Sequence, residues 1–349
     1  MPANPFATKL LDWYAQHKRN LPWRGNKDPY VIWLSEIILQ QTRVEQGLPY
    51  FNTFLRLFPD VHTLARASED QVLKAWEGLG YYSRARNLHK ASKLVSKELR
   101  GVFPQDFAGL LALPGVGPYT AAAIASICFE EHVPVIDGNV NRFLSRMMAL
   151  EIPVDTSKGR NAIQDELLPA IKGVDSPGEF NQALMEFGAR HCVPRNPNCG
   201  NCVFKTSCAA LKIGLVETLP LKQSKVKVRN RYFNYHIPLH KGNTYVRQRN
   251  EKGIWRGLFE FLLEELPAAD TAYHSVANGL EVIPQIQARY THILSHQRIY
   301  ACFIAYPVDS LPDKEGFKKV RLNELSELAM ARITTRFLEE NGPGLEAIA

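Results

Sequence analysis

Four cysteines lie close together in one short segment of the chain. Their spacing is C-x6-C-x2-C-x5-C, and they are Cys192, Cys199, Cys202 and Cys208. Four thiolates at this spacing match the ligand number of a cubane iron–sulfur cluster or of a tetrahedral zinc ion. The alternatives are four unrelated cysteines or two disulfides. Four of the six cysteines of the chain lie in this segment, which is contrary to the first, and disulfides are rare in intracellular enzymes. The segment therefore predicts a metal centre, and its spacing leaves iron–sulfur and zinc both open.

Two carboxylic acids lie in predominantly apolar sequence. Glu36 stands within WLSEIIL, and apolar surroundings raise the pKa of a carboxyl and suit it to act as a general acid. Asp137 follows the apolar run VPVI and precedes a predicted helix, whose backbone donors would keep it ionised. Each acid also has an ordinary structural interpretation. Glu36 could interact with a helix dipole in the first turn, and Asp137 could be a helix N-cap.

The segment LPGVGPYTAAAI predicts a tight turn between two helices, with Gly115 and Gly117 in the turn. Glycine adopts backbone angles that are closed to other residues and lets another backbone approach closely. The unpaired N–H groups that begin the next helix attract an anion such as phosphate. A helical hairpin that needs glycine for geometry alone is the alternative.

Two acids, a phosphate-binding turn and a metal segment together suit hydrolysis of an N-glycosidic bond in DNA. One acid protonates the departing base, and an anion stabilises the positive charge that builds on the sugar. The base must first leave the duplex, so contacts with the flanking phosphates matter.

The composition is that of a soluble globular protein with room for two domains. The chain has 349 residues, of which 45% are hydrophobic and 22% charged. A net charge of +7 and a pI near 9.0 weakly favour an anionic partner. The N-terminal sequence predicts an amphipathic helix rather than a signal peptide, and no apolar run is long enough to span a bilayer. We therefore expect a cytoplasmic protein that does not bind membranes, and we also expect it to be a monomer.

The pattern along the chain changes after residue 230. Residues 1–212 predict helices separated by short Gly/Pro turns, among them a helix from Ser35 to Phe58 that Pro49 breaks or kinks. Residues 213–230 form a basic linker, and residues 231–349 predict an α+β domain. In that domain Lys241-Gly242-Asn243 indicates a hairpin turn, and RIYACFIAYPV predicts a long strand.

Motifs over nearly the whole chain resemble those of the helix-hairpin-helix DNA glycosylases that carry an iron–sulfur loop, and in particular the branch that removes adenine. The motifs are PWR (22–24), SEIILQQTRV (35–44), GLGYYSRARNL (78–88), LPGVGPYTAAAI, VIDGNVNR, FNQALMEFGA and the four cysteines. The resemblance implies a mainly α helix-hairpin-helix domain with a [4Fe–4S] cluster, followed by an α+β Nudix-like domain. The implied partner is duplex DNA in which adenine is mispaired with 8-oxoguanine or guanine.

The resemblance also implies roles for individual residues. Glu36 would protonate adenine and activate water, Asp137 would stabilise or bond to the sugar cation, and Tyr119 and Asn139 would assist. Trp23, Arg24 and Gln182 would line the adenine pocket. Gln41 and Tyr81 would wedge into the base stack, and Ser295 and His296 would contact 8-oxoguanine.

Three departures from related patterns bear on the function. Related enzymes that also cut the DNA strand have a catalytic lysine where this chain has Tyr119, so the resemblance implies a monofunctional glycosylase. The metal-binding motif of Nudix hydrolases is absent, so the second domain is expected to recognise and not to hydrolyse. Leu294 replaces the usual Phe before Ser295. A glycosylase for thymine opposite guanine and a non-catalytic iron–sulfur DNA-binding protein are the alternatives.

Overall fold

The computed structural model describes residues 4–223, 228–267, 276–277, 280–281 and 283–348. Contacts among these residues define two compact units. The first contains residues 4–65 and 90–223, and the second contains residues 66–89 together with the described residues from 228 onward. Part of the basic linker, including Lys225 and Lys227, lies outside the described residues. The domain boundaries given above stay a prediction.

The first part of the chain is helical, as its sequence predicts. The helices are α1 (Pro5–His17), α2 (Pro29–Leu39), α3 (Val44–Leu57), α4 (Val61–Arg66), α5 (Glu69–Ala75), α6 (Ser83–Lys97), α7 (Phe107–Leu111), α8 (Pro118–Phe129), α9 (Gly138–Met148), α10 (Ser157–Lys172), α11 (Pro177–Arg190) and α12 (Ala209–Lys212), with a 3₁₀ turn at Cys199–Asn201. None of the helices in the described part of the chain is long and apolar enough to cross a bilayer.

One apolar core of the first unit is formed by buried side chains of α1, α9, α10 and α11, and it contains a group of packed aromatic rings. Phe143 of α9 and Phe187 of α11 pack with their ring centroids 4.5 Å apart. Phe204, from the cysteine segment, packs against both rings, with its centroid 5.4 Å from that of Phe143 and 5.2 Å from that of Phe187. The cysteine segment is thus anchored in the same apolar core as the helices.

The helix predicted over 35–58 is broken, but the predicted position of the break at Pro49 is wrong. The chain leaves the helical path at Gln40–Arg43, between α2 and α3, and Gln41 adopts a left-handed backbone with φ of 54°. Pro49 lies inside α3, in its second turn, and the helix continues past it to Leu57 even though the proline cannot donate a backbone hydrogen bond. Glu36 is therefore not a first-turn residue but lies in the second half of α2.

The second unit contains the strands β1 (Arg229–Leu239), β2 (Asn243–Gln248), β3 (Phe259–Glu260), β4 (Leu262–Leu266), β5 (Val276–Ala277), β6 (Leu280–Glu281), β7 (Ile286–Ile293), β8 (Gln297–Pro307) and β9 (Lys318–Arg321). A 3₁₀ helix at Leu322–Glu327 and α13 (Arg332–Ile348) follow. One sheet has the order β4-β1-β8-β7, a second the order β3-β2-β9, and β5 pairs with β6. β1 and β8 are parallel, with Tyr235 beside Phe303, whereas the other pairs are antiparallel.

One predicted turn and one predicted strand are confirmed, but the strands that flank the turn, β1 and β2, belong to different sheets, so the predicted hairpin is limited to the turn itself. His240 and Asn243 exchange backbone hydrogen bonds across Lys241 and Gly242, whose φ values are 47° and 73°. Two successive positive φ angles are typical of a type I′ turn, whose backbone twist matches that of β-strands. The strand predicted from RIYACFIAYPV is β8.

Candidate active site

One cleft in the first unit brings together residues from five separate sequence motifs. Its lining includes Trp23, Arg24, Glu36, Gln41, Tyr119, Asp137, Asn139 and Gln182, all of which the sequence singled out. The cleft has a volume of about 1640 Å³ and is open to solvent. Both predicted catalytic acids thus face one space that can admit an extruded nucleoside.

Glu36 is a buried carboxyl with a single strong hydrogen-bond donor. Its side chain is 7% exposed, and the Tyr119 hydroxyl donates to Oε2 at 2.6 Å. Burial raises the pKa of Glu36 to about 7, although the hydrogen bond from Tyr119 acts in the opposite direction. Burial also raises the pKa of Tyr119 well above its ordinary value, so this hydroxyl keeps its proton. Glu36 can therefore both give and take a proton near neutral pH.

Asp137 is a helix N-cap and also a wall of the cleft. Its Oδ1 accepts from the backbone N–H groups of Asn139 at 2.8 Å and Val140 at 2.7 Å. Its Oδ2 accepts from the Asn139 side-chain amide at 2.7 Å. Burial nevertheless raises the pKa of Asp137 above its ordinary value, against these three donors. The capping and the functional interpretations are compatible because the same carboxylate caps α9 and lines the cleft.

A chain of hydrogen bonds leads from Asp137 to the cysteine segment. The amide oxygen of Asn139 accepts from Arg142 Nη2 at 3.0 Å, which fixes the Asn139 amide nitrogen toward Asp137. Arg142 Nε donates to the carbonyl of Cys192 at 2.8 Å. Gly188 of α11 allows this close packing, since a Cβ at that position would lie 2.6 Å from the Asn139 carbonyl oxygen. Displacement of the cysteine segment would therefore disturb the support of Asp137.

The four predicted cysteines line a second cavity in the first unit, of about 370 Å³. All six cysteines of the chain are free thiols, which is contrary to a disulfide arrangement. Arg146 is buried beside them, and it donates from Nη1 to Cys192 Sγ at 3.4 Å and to the Val193 carbonyl at 2.8 Å. In the described part of the chain, no three His, Cys, Asp or Glu side chains are arranged closely enough to hold a single metal ion.

A cavity of about 1000 Å³ within the second unit brings Tyr81 together with Ser295 and His296. Ser295 and His296 form the tip of a tight turn between β7 and β8, in which the Leu294 N–H donates to the Gln297 carbonyl at 2.8 Å. Tyr81 is 45% exposed and has a left-handed backbone with φ of 48°. Such a conformation is strained for a bulky residue and is common at binding sites.

Only one of the two turn glycines has an unusual backbone angle. Gly115 has φ of 76°, which requires glycine, whereas Gly117 has an ordinary φ of −93° and is the N-cap of α8. A Cβ at Gly117 would meet open space, so the absence of a side chain leaves room for an incoming group. Among the described residues, no side chain makes a capping hydrogen bond to the N-terminus of α8, so its first N–H groups are available to an anion.

Comparisons with known proteins agree with this geometry. Residues 34–168 match the model of the HhH-GPD superfamily base excision DNA repair proteins, and residues 235–340 match the NUDIX domain model. The chain is 36% identical over 314 residues to the adenine DNA glycosylase of Buchnera aphidicola subsp. Schizaphis graminum. This alignment covers 90% of this chain and 89% of the relative.

The chain belongs to the adenine DNA glycosylases.

More distant adenine DNA glycosylases match a smaller part of the chain. The human protein is 40% identical over 217 residues, which are 59% of this chain and 39% of that protein. Among solved structures, a thermostable thymine-DNA glycosylase superposes with a TM-score of 0.55 at 26% identity, covering 60% of this chain and 95% of that one. Endonuclease III in complex with DNA, at a TM-score of 0.52 and 19% identity, shares the fold.

Three charged residues of the cleft in this adenine DNA glycosylase were not among the site residues predicted from its sequence. They are Arg19, Arg142 and Glu186. Arg142 supports Asn139, as described above. Glu186 is 1% exposed and pairs with Arg24 at 2.6 Å and with Arg19 at 2.8 Å. One local indication existed, because Glu186 follows Gln182 by one helical turn and therefore lies on the same face of α11.

Proposed function

We propose that this protein is a base-excision-repair enzyme that hydrolyses the N-glycosidic bond of adenine mispaired with 8-oxoguanine or guanine in duplex DNA. The observation that carries this proposal is the shared cleft of Glu36 and Asp137. A buried acid with a pKa of about 7 and a second carboxylate in the same space are the two groups that glycosidic cleavage requires.

Glu36 acts on the departing base. In its protonated form it donates to a ring nitrogen of adenine, which makes the base a better leaving group. Once ionised, the same carboxylate can accept a proton from the attacking water. The hydrogen bond from Tyr119 holds the carboxyl in place and stabilises its ionised form.

Asp137 acts on the sugar. As the glycosidic bond lengthens, positive charge develops on the sugar ring, and the Asp137 carboxylate stabilises it electrostatically. The three donors from Asn139 and Val140 fix the orientation of this carboxylate before the reaction. Asn139 therefore assists by positioning.

Trp23, Arg24 and Gln182 form the pocket for the extruded adenine. Trp23 is 8% exposed and packs edge-on against Phe51, so it is a core aromatic whose exposed part lines the cleft. Gln182 offers a donor and an acceptor side by side, as adenine does. Gln41, with its strained backbone at the same cleft, is the residue that enters the base stack.

The cavity of Tyr81, Ser295 and His296 is the site that recognises 8-oxoguanine. Its polar turn tip supplies hydrogen-bonding groups, and the half-exposed Tyr81 ring offers a stacking surface. The Nudix-like unit recognises without hydrolysing, because its sequence lacks the metal-binding motif of Nudix hydrolases. Glu260, one of its acids, is instead paired with Arg247 at 2.9 Å and Arg249 at 2.8 Å. Gly115 and Gly117 admit a DNA phosphate at the start of α8.

A panel of duplexes tests the function. Release of adenine opposite 8-oxoguanine or guanine, without cleavage of the strand, is the expected result. The likeness to a thymine-DNA glycosylase structure makes thymine opposite guanine the second substrate to test. Preferential release of thymine would overturn the proposal. Efficient strand cleavage would contradict monofunctional action, which rests on Tyr119 in place of a lysine. The monomeric state, the cytoplasmic location and the absence of membrane binding stay predictions.

The cysteine cavity suits a [4Fe–4S] cluster. Four thiols around a common space supply the required ligands, and the buried Arg146 offsets part of the negative charge that bound thiolates would carry. The cluster would act as a structural clamp that holds the exposed Arg195 and Lys205 toward DNA phosphates.

Replacing Cys202 with Ser is therefore expected to remove most of the iron and inorganic sulfide from the purified protein. It should also lower the thermal unfolding temperature, because a ligand that binds only the folded state stabilises it. Chemical iron and sulfide analysis and the visible absorption spectrum measure the first effect. Cys128→Ser is the matched control, since Cys128 is a free thiol of α8 outside the cavity, and it should retain both elements. Zinc in place of iron in the native protein would contradict the cluster.

The raised pKa of Glu36 predicts a pH dependence. Base release requires protonated Glu36, so kcat/KM should fall as the pH rises through about 7. In Tyr119→Phe this alkaline limb should move to higher pH, because the hydrogen bond that lowers the pKa is lost. Single-turnover rates across pH measure the limb, with Tyr30→Phe as the control. A limb that stays in place or moves to lower pH would rule out the assigned contact.

A further inference from the structure

Behind the base pocket, the buried Tyr14 of α1 contacts Gln182 of α11. The Tyr14 hydroxyl donates to Gln182 Oε1 at 3.1 Å, across a sequence separation of 168 residues. Gln182 lines the cleft, and Tyr14 is 2% exposed. The hydroxyl therefore holds the amide from the side of the protein core.

Two features keep Tyr14 in this role as a donor. Burial raises its pKa to about 12, so the hydroxyl keeps its proton. The Arg24 guanidinium lies over the Tyr14 ring, 5.2 Å from its centroid, and fixes the ring position. Arg24 itself is held by Glu186 at 2.6 Å and by the Arg19 carbonyl at 2.9 Å.

Glu186 holds both Arg19 and Arg24 in position. Its two oxygens accept from the Arg19 backbone N–H at 3.0 Å, from Arg19 Nε at 2.9 Å and Nη2 at 2.8 Å, and from Arg24 Nη2. Burial opposes its ionisation, but the hydrogen bonds from Arg19 and Arg24 prevail and lower the pKa of Glu186 to about 2. Glu186 thereby holds Arg24 in place over the Tyr14 ring.

The orientation of the Gln182 amide decides which purine it matches. Adenine presents its amino group as a donor beside a ring nitrogen that accepts. A 6-oxopurine such as hypoxanthine presents an oxygen acceptor beside an N–H donor. A glutamine amide in one orientation complements the first pattern, and the same amide rotated by half a turn complements the second.

We propose that Tyr14 is a positioning residue that fixes the side-chain amide of Gln182 in one orientation and thereby sets the preference of the pocket for adenine over 6-oxopurines. This inference rests on the proposed function. Nothing else in the pocket needs to change for the preference to weaken, because loss of the Tyr14 hydroxyl frees the amide to rotate.

Tyr14→Phe tests the inference by the removal of one oxygen atom. The measurement is kcat/KM for release of adenine and of hypoxanthine from otherwise identical duplexes, each placed opposite 8-oxoguanine. The adenine-to-hypoxanthine ratio should fall about three- to tenfold, the value of one hydrogen bond. Tyr30→Phe is the matched control, since the buried Tyr30 hydroxyl donates to the Phe58 carbonyl away from the cleft, and it should leave the ratio unchanged.

A double-mutant cycle shows whether Tyr14 acts through Gln182. In a Gln182→Ala background, Tyr14→Phe should have no further effect on the ratio. A residue that only stabilised the fold would lower both rates equally, so an unchanged ratio in Tyr14→Phe would overturn the inference. The inference would also be overturned if Tyr14→Phe changed the ratio as much in the Gln182→Ala background as in the native chain. Failure of the native chain to release adenine would instead overturn the proposed function, and the two failures are therefore distinguishable.

Discussion

Glu36→Gln is expected to reduce adenine release by a factor of about 10²–10⁴, the usual contribution of a positioned general acid. Glutamine has nearly the same volume and can still accept the hydrogen bond from Tyr119, but it has no acidic proton to give to adenine. Because the position is 7% exposed and lies deep in the cleft, the loss should not be rescued from solvent. Single-turnover base release measures the effect.

The control for this prediction is Glu45→Gln, which removes an exposed carboxylate that lines the same cleft. We expect its base-release rate to stay within about threefold of the native rate, since exposed charges interact weakly. Binding of the mispaired duplex by Glu36→Gln should be nearly native. A Glu36→Gln protein that retains full activity would remove the acid from the mechanism, and the proposed function would lose its main support.

Asp137→Asn should lower base release by a factor of about 10²–10³, typical of the loss of one preorganised electrostatic contact in a transition state. Asparagine carries no charge and cannot stabilise the developing sugar cation. It is as good a helix N-cap as aspartate, so α9 should remain intact. The chemical role and the structural role of this residue can therefore be separated by one substitution.

Thermal unfolding and single-turnover kinetics on the same samples measure the two roles of Asp137. The matched control is Asp106→Asn, because Asp106 caps α7 through the Gly109 N–H and lies outside the cleft. Both variants should keep nearly native stability, and only Asp137→Asn should lose activity. If Asp137→Asn retained its rate, or if its activity fell only in proportion to its stability, Asp137 would be a cap and nothing more.

The local part of the site could be predicted from sequence because short-range rules govern it. The cap at Asp137, the positive φ at Gly115 and the turn at Lys241-Gly242 each depend on a few neighbouring residues. The position of the break between α2 and α3 was not predicted correctly, because the sequence pattern indicated a break at Pro49. The true break follows Leu39, where no Gly or Pro marks it, so local propensity gave no indication of its position.

The sequence by itself determined the chemical groups, namely two acids in apolar segments, four clustered thiols and a glycine turn before a helix. Only the tertiary structure decided which groups meet. It brought Tyr81 to the same cavity as Ser295 and His296, and it joined Tyr14 to Gln182 across 168 residues. The physical reason is that backbone preferences are set by adjacent residues, whereas burial, and with it the raised pKa of Glu36, depends on how the whole chain packs.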